Sequence, residues 1–312
     1  MNTRGEPVFD ENVYKYYASN RWKFLEEING VESAGFMIRS PVAVVSCTLA
    51  YLGFVCLIGP WMMHNRKPYE LKNIIRLYNL AMVIVSAILL KRVYGAVESL
   101  GTLVDCNKTF TMADQSGTKV YQMANFILMV RISEYFDTIF FTLRKKPNQV
   151  TFLHVFHHTF VPLYAYWILR TAPLRFNVYI ILINSFIHVL MYSYYFLATF
   201  QQARGESLQP TNEKPSGLMM IVNKLLMFKK YMTQLQIMQF VSLGLYTIWA
   251  ASQPNMCNVP KTYIVANFLL AFGFLSLFLH FYLNVYKSAG KTTTTTLRTT
   301  AASGTRVKDR SD

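Results

Sequence analysis

Four long stretches of this chain contain no Asp, Glu, Lys or Arg, and each is about as long as a membrane-spanning helix. They cover residues 41–63, 177–200, 232–251 and 263–286. A helix needs roughly 20 mainly apolar residues to cross the hydrocarbon layer of a bilayer, so each stretch can cross it once. With 53% hydrophobic residues among 312, the chain has more apolar surface than one soluble core can bury. The sequence therefore predicts an all-α integral membrane protein.

Three further segments bring the prediction to about seven membrane-spanning helices. They cover residues 74–90, 120–143 and 150–169 and carry charged or imidazole side chains, among them Arg76 and Arg131. Ionisable groups at this depth are costly and usually functional, so they do not exclude a span. Lysines and arginines concentrate in the loops after the first, third and fifth spans, which predicts that these loops are cytosolic. The N-terminus is then expected in the lumen and the C-terminus in the cytosol.

The segments outside and around the spans differ in composition. Residues 1–38 mix acids with bases and contain no apolar signal-peptide core, so we expect a polar lumenal segment. Residues 39–287 form the predicted seven-helix membrane domain, and residues 288–312, rich in Lys, Thr and Ser, are predicted to be a disordered basic cytosolic tail. The formal net charge of +15 lies mostly in cytosolic loops and tail. This distribution favours anionic lipid and phosphorylated substrates over nucleic acid as partners.

Two features of the predicted lumenal loops agree with this topology. Asn107 begins an Asn-Lys-Thr sequon for N-glycosylation. Cys106 and Cys257 fall in loops on the oxidising side, where they are candidates for a disulfide, although loop cysteines also stay free.

Within the predicted fourth span, His154, His157 and His158 place three imidazoles on adjoining turns of an apolar helix. At a rise of about 1.5 Å per residue, Glu134 and Asp137 of the third span lie at a similar depth. Polar residues of the fifth and sixth spans approach the same cytosolic side; they are His188, Thr233, Gln236 and Gln239. Four helices therefore predict one buried polar pocket that opens to the cytosol.

Four motifs occur in order along these helices. Their positions are Arg131, Glu134, Asp137 and Thr138; His154, His157 and His158; Asn184, His188, Met191, Tyr192, Tyr194 and Tyr195; and Thr233, Gln236 and Gln239. Together they resemble the fatty-acid elongase family of the endoplasmic reticulum, whose members condense acyl-CoA with malonyl-CoA. Arg131 stands where the family has lysine, which keeps the charge and changes the hydrogen-bond geometry. The context from Gln149 to Phe156 resembles elongases of saturated and monounsaturated very long chains.

The resemblance implies a 3-oxoacyl-CoA synthase that releases CO2 and CoA and carries the acyl group on a histidine. His157 is the predicted nucleophile, and His188 is expected to contact the reacting carbon from across the pocket. The other predicted catalytic residues, His154, His158, Asp137 and Glu134, would orient the imidazoles or stabilise an oxyanion. Predicted substrate-binding residues are Arg131, Asn184, Tyr192, Tyr195, Thr233, Gln236, Gln239, Lys145, Lys146, Lys229 and Lys230, the lysines meeting the CoA phosphates.

No cofactor and no metal is expected beside the two CoA thioesters. The ketoreductase, dehydratase and enoyl reductase of an elongation cycle are expected to be separate proteins, because the chain has no dinucleotide fingerprint. A homo-oligomer is left open.

Other interpretations stay open at this point. A His-x-x-His-His box also occurs in membrane di-iron desaturases and hydroxylases, but those need about eight histidines and this chain has six. A proton-coupled seven-helix transporter would share the topology. On a purely structural interpretation, Arg131 and Glu134 form an ion pair, and Gln236 and Gln239 hold helices together. The basic loops would then serve only to orient the chain.

Overall fold

The computed structural model describes residues 35–100, 115–171, 175–205, 229–253 and 261–287. Its α-helices are α1 Phe36–Arg39, α2 Pro41–Gly53, α3 Gly59–Met63, α4 Lys72–Leu100, α5 Gln115–Ser133, α6 Tyr135–Leu143, α7 Phe152–Thr171, α8 Arg175–Gly205, α9 Lys229–Ser252 and α10 Lys261–Tyr282. A π-helical segment, Phe54–Ile58, joins α2 to α3, and another, Leu283–Lys287, follows α10. The described residues include no strand, which confirms the predicted all-α class. The predicted sequon at Asn107 and the cysteines Cys106 and Cys257 lie outside the described residues.

Among the described residues, four helical segments are long and apolar enough to cross a membrane: Pro41–Met63, Lys72–Gly95, Asn177–Phe200 and Lys261–Val285. They correspond to the first, second, fifth and seventh predicted spans, and they make this a multi-pass membrane protein. The other three predicted spans are also helical, but charged, imidazole and amide side chains lower their apolar content. These helices, α5 with α6, α7 and α9, carry three of the four motifs. The count of seven spans stays a prediction.

The second predicted span is longer than expected. The sequence predicts a span over residues 74–90, whereas α4 continues past Lys91 and Arg92 to Leu100. Both basic side chains are exposed. Long cationic side chains near the end of an apolar helix extend toward the headgroups, so two cations can follow an apolar run without ending the helix.

The chain divides into two compact units. The first takes its described residues from Met1–Glu70 and Lys108–Asn177 and holds α1 to α3 and α5 to α7. The second takes them from Leu71–Asn107 and Val178–Asp312 and holds α4, α9, α10 and nearly all of α8. The acidic motif and the histidine box therefore share the first unit, and the His188 and glutamine motifs share the second.

In the first unit, α3 packs very closely against α6. A Cβ atom on Gly59 would stand 2.7 Å from Cγ2 of Thr142 and 2.8 Å from the carbonyl oxygen of Phe54. Both distances are too short for a real Cβ contact, so only glycine fits at this position without a rearrangement.

The start of α1 is held by a side chain from α5. Asn125 Oδ1 accepts hydrogen bonds from the backbone N–H groups of Met37 and Ile38 at 2.9 and 3.3 Å. These donors belong to the first turn of α1, where backbone N–H groups lack an intrahelical acceptor, so the side-chain oxygen of Asn125 caps the helix. The preceding Gly35 has φ 85, and a Cβ there would lie 2.4 Å from Asn125 Cγ. Glycine is therefore required by both its conformation and its surroundings.

In the second unit, aromatic rings pack between α9 and α10. The ring of Phe240 stacks on Phe274 and tilts against Phe278, with ring centroids 5.4 and 5.2 Å apart. One turn beyond Phe278, at the end of α10, Gln234 Nε2 donates to the Tyr282 hydroxyl at 2.9 Å. Aromatic pairs at this separation contribute stability beyond that from burying their apolar surface, and they hold the two helices side by side.

Candidate active site

The acidic motif lies at a break between two helices. α5 ends at Ser133 and α6 begins at Tyr135, with Glu134 between them at φ −66 and ψ −13. Arg131 Nη1 is 3.0 Å from Glu134 Oε1, and the two side chains are only 4% and 3% exposed. Asp137, one turn further on, is also buried. The predicted face of three ionisable groups is therefore present and buried within the first unit.

The histidine box forms a continuous cluster of rings at the start of α7. Thr151 Oγ1 accepts the backbone N–H of His154 at 3.3 Å and so caps the helix just before the box. The ring centroids of His154 and His158 are 4.2 Å apart, and those of His157 and His158 are 5.5 Å apart. The ring of Phe141, on α6, lies 5.4 Å from that of His154. The cap and the Phe141 contact thus restrict where the imidazoles can point.

Burial differs among the three imidazoles. His158 is buried, and His154 and His157 are half-buried. The Nε2 atom of His154 is buried and has no hydrogen-bond partner among the residues that the structure describes. A nitrogen in this position is available to a polar atom of a substrate.

In the second unit, His188 lies within a group of tyrosines. His188 is buried, and its ring centroid is 5.9 Å from that of Tyr192, which is fully buried. Tyr195 and Tyr78 both meet Tyr192 edge to face, at 6.1 and 6.2 Å. Asn184, one turn before His188, is half-buried. The third motif therefore places a buried imidazole beside the buried ring of Tyr192, whereas Tyr195 is 38% exposed.

The glutamine motif on α9 reaches the same part of α8. Gln236 Nε2 donates to the sulfur of Met191 at 3.5 Å. Thr233 is buried and Gln239 is half-buried. Gln236 thus joins the fourth motif to the third, in agreement with the interpretation that the glutamines hold helices together. Its amide group can form further hydrogen bonds in addition to this one.

The basic residues predicted to meet CoA are at exposed positions. Lys145, Lys146, Lys229 and Lys230 are all exposed. Lys145 adopts φ 50, and its Nζ donates to the carbonyl oxygen of His64 at 3.2 Å. This lysine therefore links the loop after α6 to the end of α3, a structural role that its sequence context did not predict.

Sequence reasoning also missed Arg76. Its Nε donates to Thr199 Oγ1 at 3.3 Å, and its guanidinium lies 4.3 Å from the centroid of the Phe200 ring. A cation over an aromatic face is attracted by the ring quadrupole, so Arg76 attaches the start of α4 to the end of α8. An arginine inside an apolar run was the available signal, because such a cation is expected to find a partner.

The structure thus brings together two sets of predicted residues. One set, in the first unit, contains Arg131, Glu134, Asp137 and the histidine box; the other, in the second unit, contains Asn184, His188, Tyr192, Tyr195, Thr233, Gln236 and Gln239. Convergence of the two sets on one pocket stays a prediction. Among the described residues, no group of three His, Cys, Asp or Glu side chains is arranged to hold a metal ion, so no observation favours the di-iron interpretation.

Comparison with known proteins assigns the family. The sequence pattern of the ELO family (GNS1/SUR4) matches residues 36–294. The chain belongs to the ELO family. The match includes all four motifs, so the family predicted from their order is confirmed, and with it the predicted fatty-acid elongation enzyme.

Individual ELO-family relatives match over most of the chain. Mouse very long chain fatty acid elongase 1 is 31% identical over 277 residues, which cover 87% of this chain and 91% of the relative. Mouse very long chain fatty acid elongase 2 is 32% identical over 252 residues, 81% of this chain and 78% of the relative. The human very long chain fatty acid elongase 1 is 34% identical over 213 residues, 67% and 69% of the two chains. The similarity therefore extends through the helical domain.

Proposed function

We propose that this chain catalyses the condensing step of very-long-chain fatty-acid elongation, joining a long-chain acyl-CoA to malonyl-CoA. The products are a 3-oxoacyl-CoA, CO2 and CoA. The observation that carries the proposal is the cluster of three imidazoles at the start of α7, with ring centroids 4.2 and 5.5 Å apart in a helix that is predicted to span the membrane. Ionisable groups at this depth are expensive and are usually functional.

In the first half of the reaction, a ring nitrogen of His157 attacks the thioester carbon of acyl-CoA. The C–S bond breaks, a C–N bond forms, and the departing CoA thiolate takes the imidazole proton and leaves as free CoA. The acyl-imidazole that remains is itself a good acyl donor. His157 is half-buried.

In the second half, malonyl-CoA loses CO2 and leaves a carbanion at the α-carbon, stabilised as an enolate. This carbon attacks the acyl group, the C–N bond to His157 breaks, and a proton from solvent restores the neutral imidazole. Hydrogen-bond donors at the developing oxyanions are needed in both halves. The buried Nε2 of His154 is suited to this role when it carries the proton.

The remaining site residues orient these groups. Glu134 and Asp137 select the imidazole tautomers, and Arg131 balances their charge. His188, within its tyrosine group, contacts or activates the reacting carbon, and Gln236 and Gln239 offer amide donors. Asn184, Tyr192, Tyr195 and Thr233 complete the substrate site.

The proposed location is the endoplasmic reticulum membrane, with the N-terminus lumenal and the C-terminus cytosolic. CoA thioesters then reach the site from the cytosol, where Lys146, Lys229 and Lys230 are exposed and able to meet their phosphates. The 3-oxoacyl-CoA product needs a separate ketoreductase, dehydratase and enoyl reductase to complete the cycle.

The test is product formation by the purified protein from a long-chain acyl-CoA and labelled malonyl-CoA. We expect labelled 3-oxoacyl-CoA and an equal amount of CO2, and we expect His157→Ala to abolish both while His64→Ala, outside the motifs, leaves them unchanged. Product formation at the normal rate by His157→Ala would refute the assignment of the nucleophile. Absence of product with the unaltered protein would refute the function.

A further inference from the structure

Four buried side chains join α2 to α6 within the first unit. Thr48 Oγ1 is 2.7 Å from the Tyr135 hydroxyl, and the Tyr51 hydroxyl is 3.0 Å from Thr138 Oγ1. The rings of Tyr51 and Tyr135 stack, with centroids 4.3 Å apart and planes 14° apart. All four residues are at most 4% exposed. We call these four residues, Thr48, Tyr51, Tyr135 and Thr138, the hydroxyl lock.

The two hydrogen bonds of the hydroxyl lock are in register. On each helix the partners are three residues apart, so both pairs lie on one face of α2 and one face of α6. Thr48 Oγ1 also lies 2.8 Å from the Val44 carbonyl, to which it donates its single proton. The Tyr135 hydroxyl must therefore donate to Thr48 Oγ1. This ordered arrangement resists both sliding and rotation of α6 against α2.

The hydroxyl lock contacts both motifs of the first unit. Tyr135 and Thr138 each follow directly after a motif acid, Glu134 and Asp137 respectively. Val155, which lies inside the histidine box, packs against the apolar cluster formed by Tyr51, Val55 and Tyr135. Movement at the lock therefore changes the position of the carboxylates and the support beneath the imidazoles.

We infer that the hydroxyl lock is a positioning device for the condensation site, and that Thr48 and Tyr51 are positioning residues outside the four motifs. The inference rests on the proposed function. Helix side chains extend about 5–6 Å from the axis, so a rotation of α6 by roughly 10° moves a carboxylate by about 1 Å. A misplacement of about 1 Å near reacting groups can cost roughly 100-fold in rate. Loss of one hydroxyl, with the ring stack intact, is expected to lower kcat at least tenfold.

The test compares Tyr51→Phe and Thr48→Val with the unaltered full-length protein in lipid nanodiscs. Each variant removes one lock hydroxyl and retains the volume of the side chain. Thr247→Val is the matched control, because Thr247 is equally buried and its hydroxyl donates only to the Leu243 carbonyl of its own helix at 2.8 Å. Thr48→Ser restores the hydroxyl and is the conservative rescue.

We expect a fall in kcat of at least tenfold for Tyr51→Phe and Thr48→Val, with KM for acyl-CoA changed less than twofold. Thr247→Val and Thr48→Ser should keep the unaltered kcat. Thermal unfolding is followed in parallel, since a structural role alone lowers the folded fraction and leaves the kcat of the folded protein unchanged.

A normal kcat in both lock variants, or a fall equal to that of Thr247→Val, would overturn the inference. Failure of the proposed function is a different outcome, because the unaltered protein would then form no 3-oxoacyl-CoA. If the unaltered protein forms product but releases no free CoA from acyl-CoA alone, only the acyl-enzyme step fails, and the hydroxyl lock is still judged by kcat.

Discussion

The buried ion pair between Arg131 and Glu134 makes a quantitative prediction for stability. Its two atoms are 3.0 Å apart, and the side chains are 4% and 3% exposed. Glu134→Gln removes the negative charge that lies 3.0 Å from the buried guanidinium of Arg131. With an effective dielectric constant of about 20, the lost attraction is on the order of 5 kcal/mol. Measured losses on breaking one partner of a buried pair are about 3–5 kcal/mol, so we expect a destabilisation in that range.

The assay is thermal unfolding in nanodiscs, followed by intrinsic tryptophan fluorescence. For a domain of about 150–250 residues, such as the predicted helical domain of residues 39–287, each kcal/mol lowers Tm by roughly 2–4 °C, so Glu134→Gln should lower Tm by about 6–20 °C. Glu70→Gln is the matched control, because Glu70 is exposed and its loss should change stability by about 0.5 kcal/mol or less.

A double variant separates the charge effect from the loss of packing. Arg131→Met combined with Glu134→Gln removes both charges of this pair, so it should recover part of the stability that Glu134→Gln alone loses. An unchanged Tm for Glu134→Gln would refute the reasoning, as would a double variant that is less stable than the single one. Activity is not the readout here, because Glu134 is also a predicted site residue.

Three further perturbations have defined outcomes. Gly59→Ala should lower the free energy of unfolding by about 1–3 kcal/mol, because the added Cβ overpacks against Thr142. Gly244→Ala should be neutral or stabilising, because its added Cβ has no neighbouring atom within 4 Å. Equal Tm values for the two variants would contradict this contrast. Thr151→Ala removes the cap of α7 and should cost about 1 kcal/mol in thermal unfolding; Thr151→Ser should restore it, and a failure to do so would exclude the cap as the cause. Incubation with phenanthroline should leave the rate of 3-oxoacyl-CoA formation unchanged, and a loss restored by added iron would favour a metal enzyme.

The apolar runs of the sequence predicted much of the helical architecture, and polar residues account for the differences. Runs without charge correspond to Pro41–Met63, Asn177–Phe200 and Lys261–Val285. The span predicted over residues 74–90 stops short of Lys91 and Arg92, whereas α4 continues past both to Leu100. The break at Glu134 was also missed, since neither glycine nor proline marks it and glutamate favours helix. Tertiary contacts decide where such a break occurs, and local helix propensity carries no information about them.

The spacing within each motif predicted which residues share a helix face, but it could not predict contacts between residues that are far apart in the sequence. The spacing of Arg131, Glu134 and Asp137 predicted one face, and all three are buried. In contrast, Thr48 and Tyr51 lie in an apolar run, and the hydroxyl of each one hydrogen-bonds to a residue 87 positions further along the chain. No local pattern records such a pairing. Lys145 was predicted to bind CoA, which stays a prediction, and its bond to the His64 carbonyl was not foreseen.

The most direct test of the account is mass spectrometry of the purified protein after incubation with a long-chain acyl-CoA alone. We predict an acyl mass on the peptide that contains His157, release of an equal amount of free CoA, and loss of the acyl mass as 3-oxoacyl-CoA when malonyl-CoA is added. Malonyl-dependent product without any acyl adduct would contradict the histidine acyl-enzyme, and neither adduct nor product would contradict the condensing function itself.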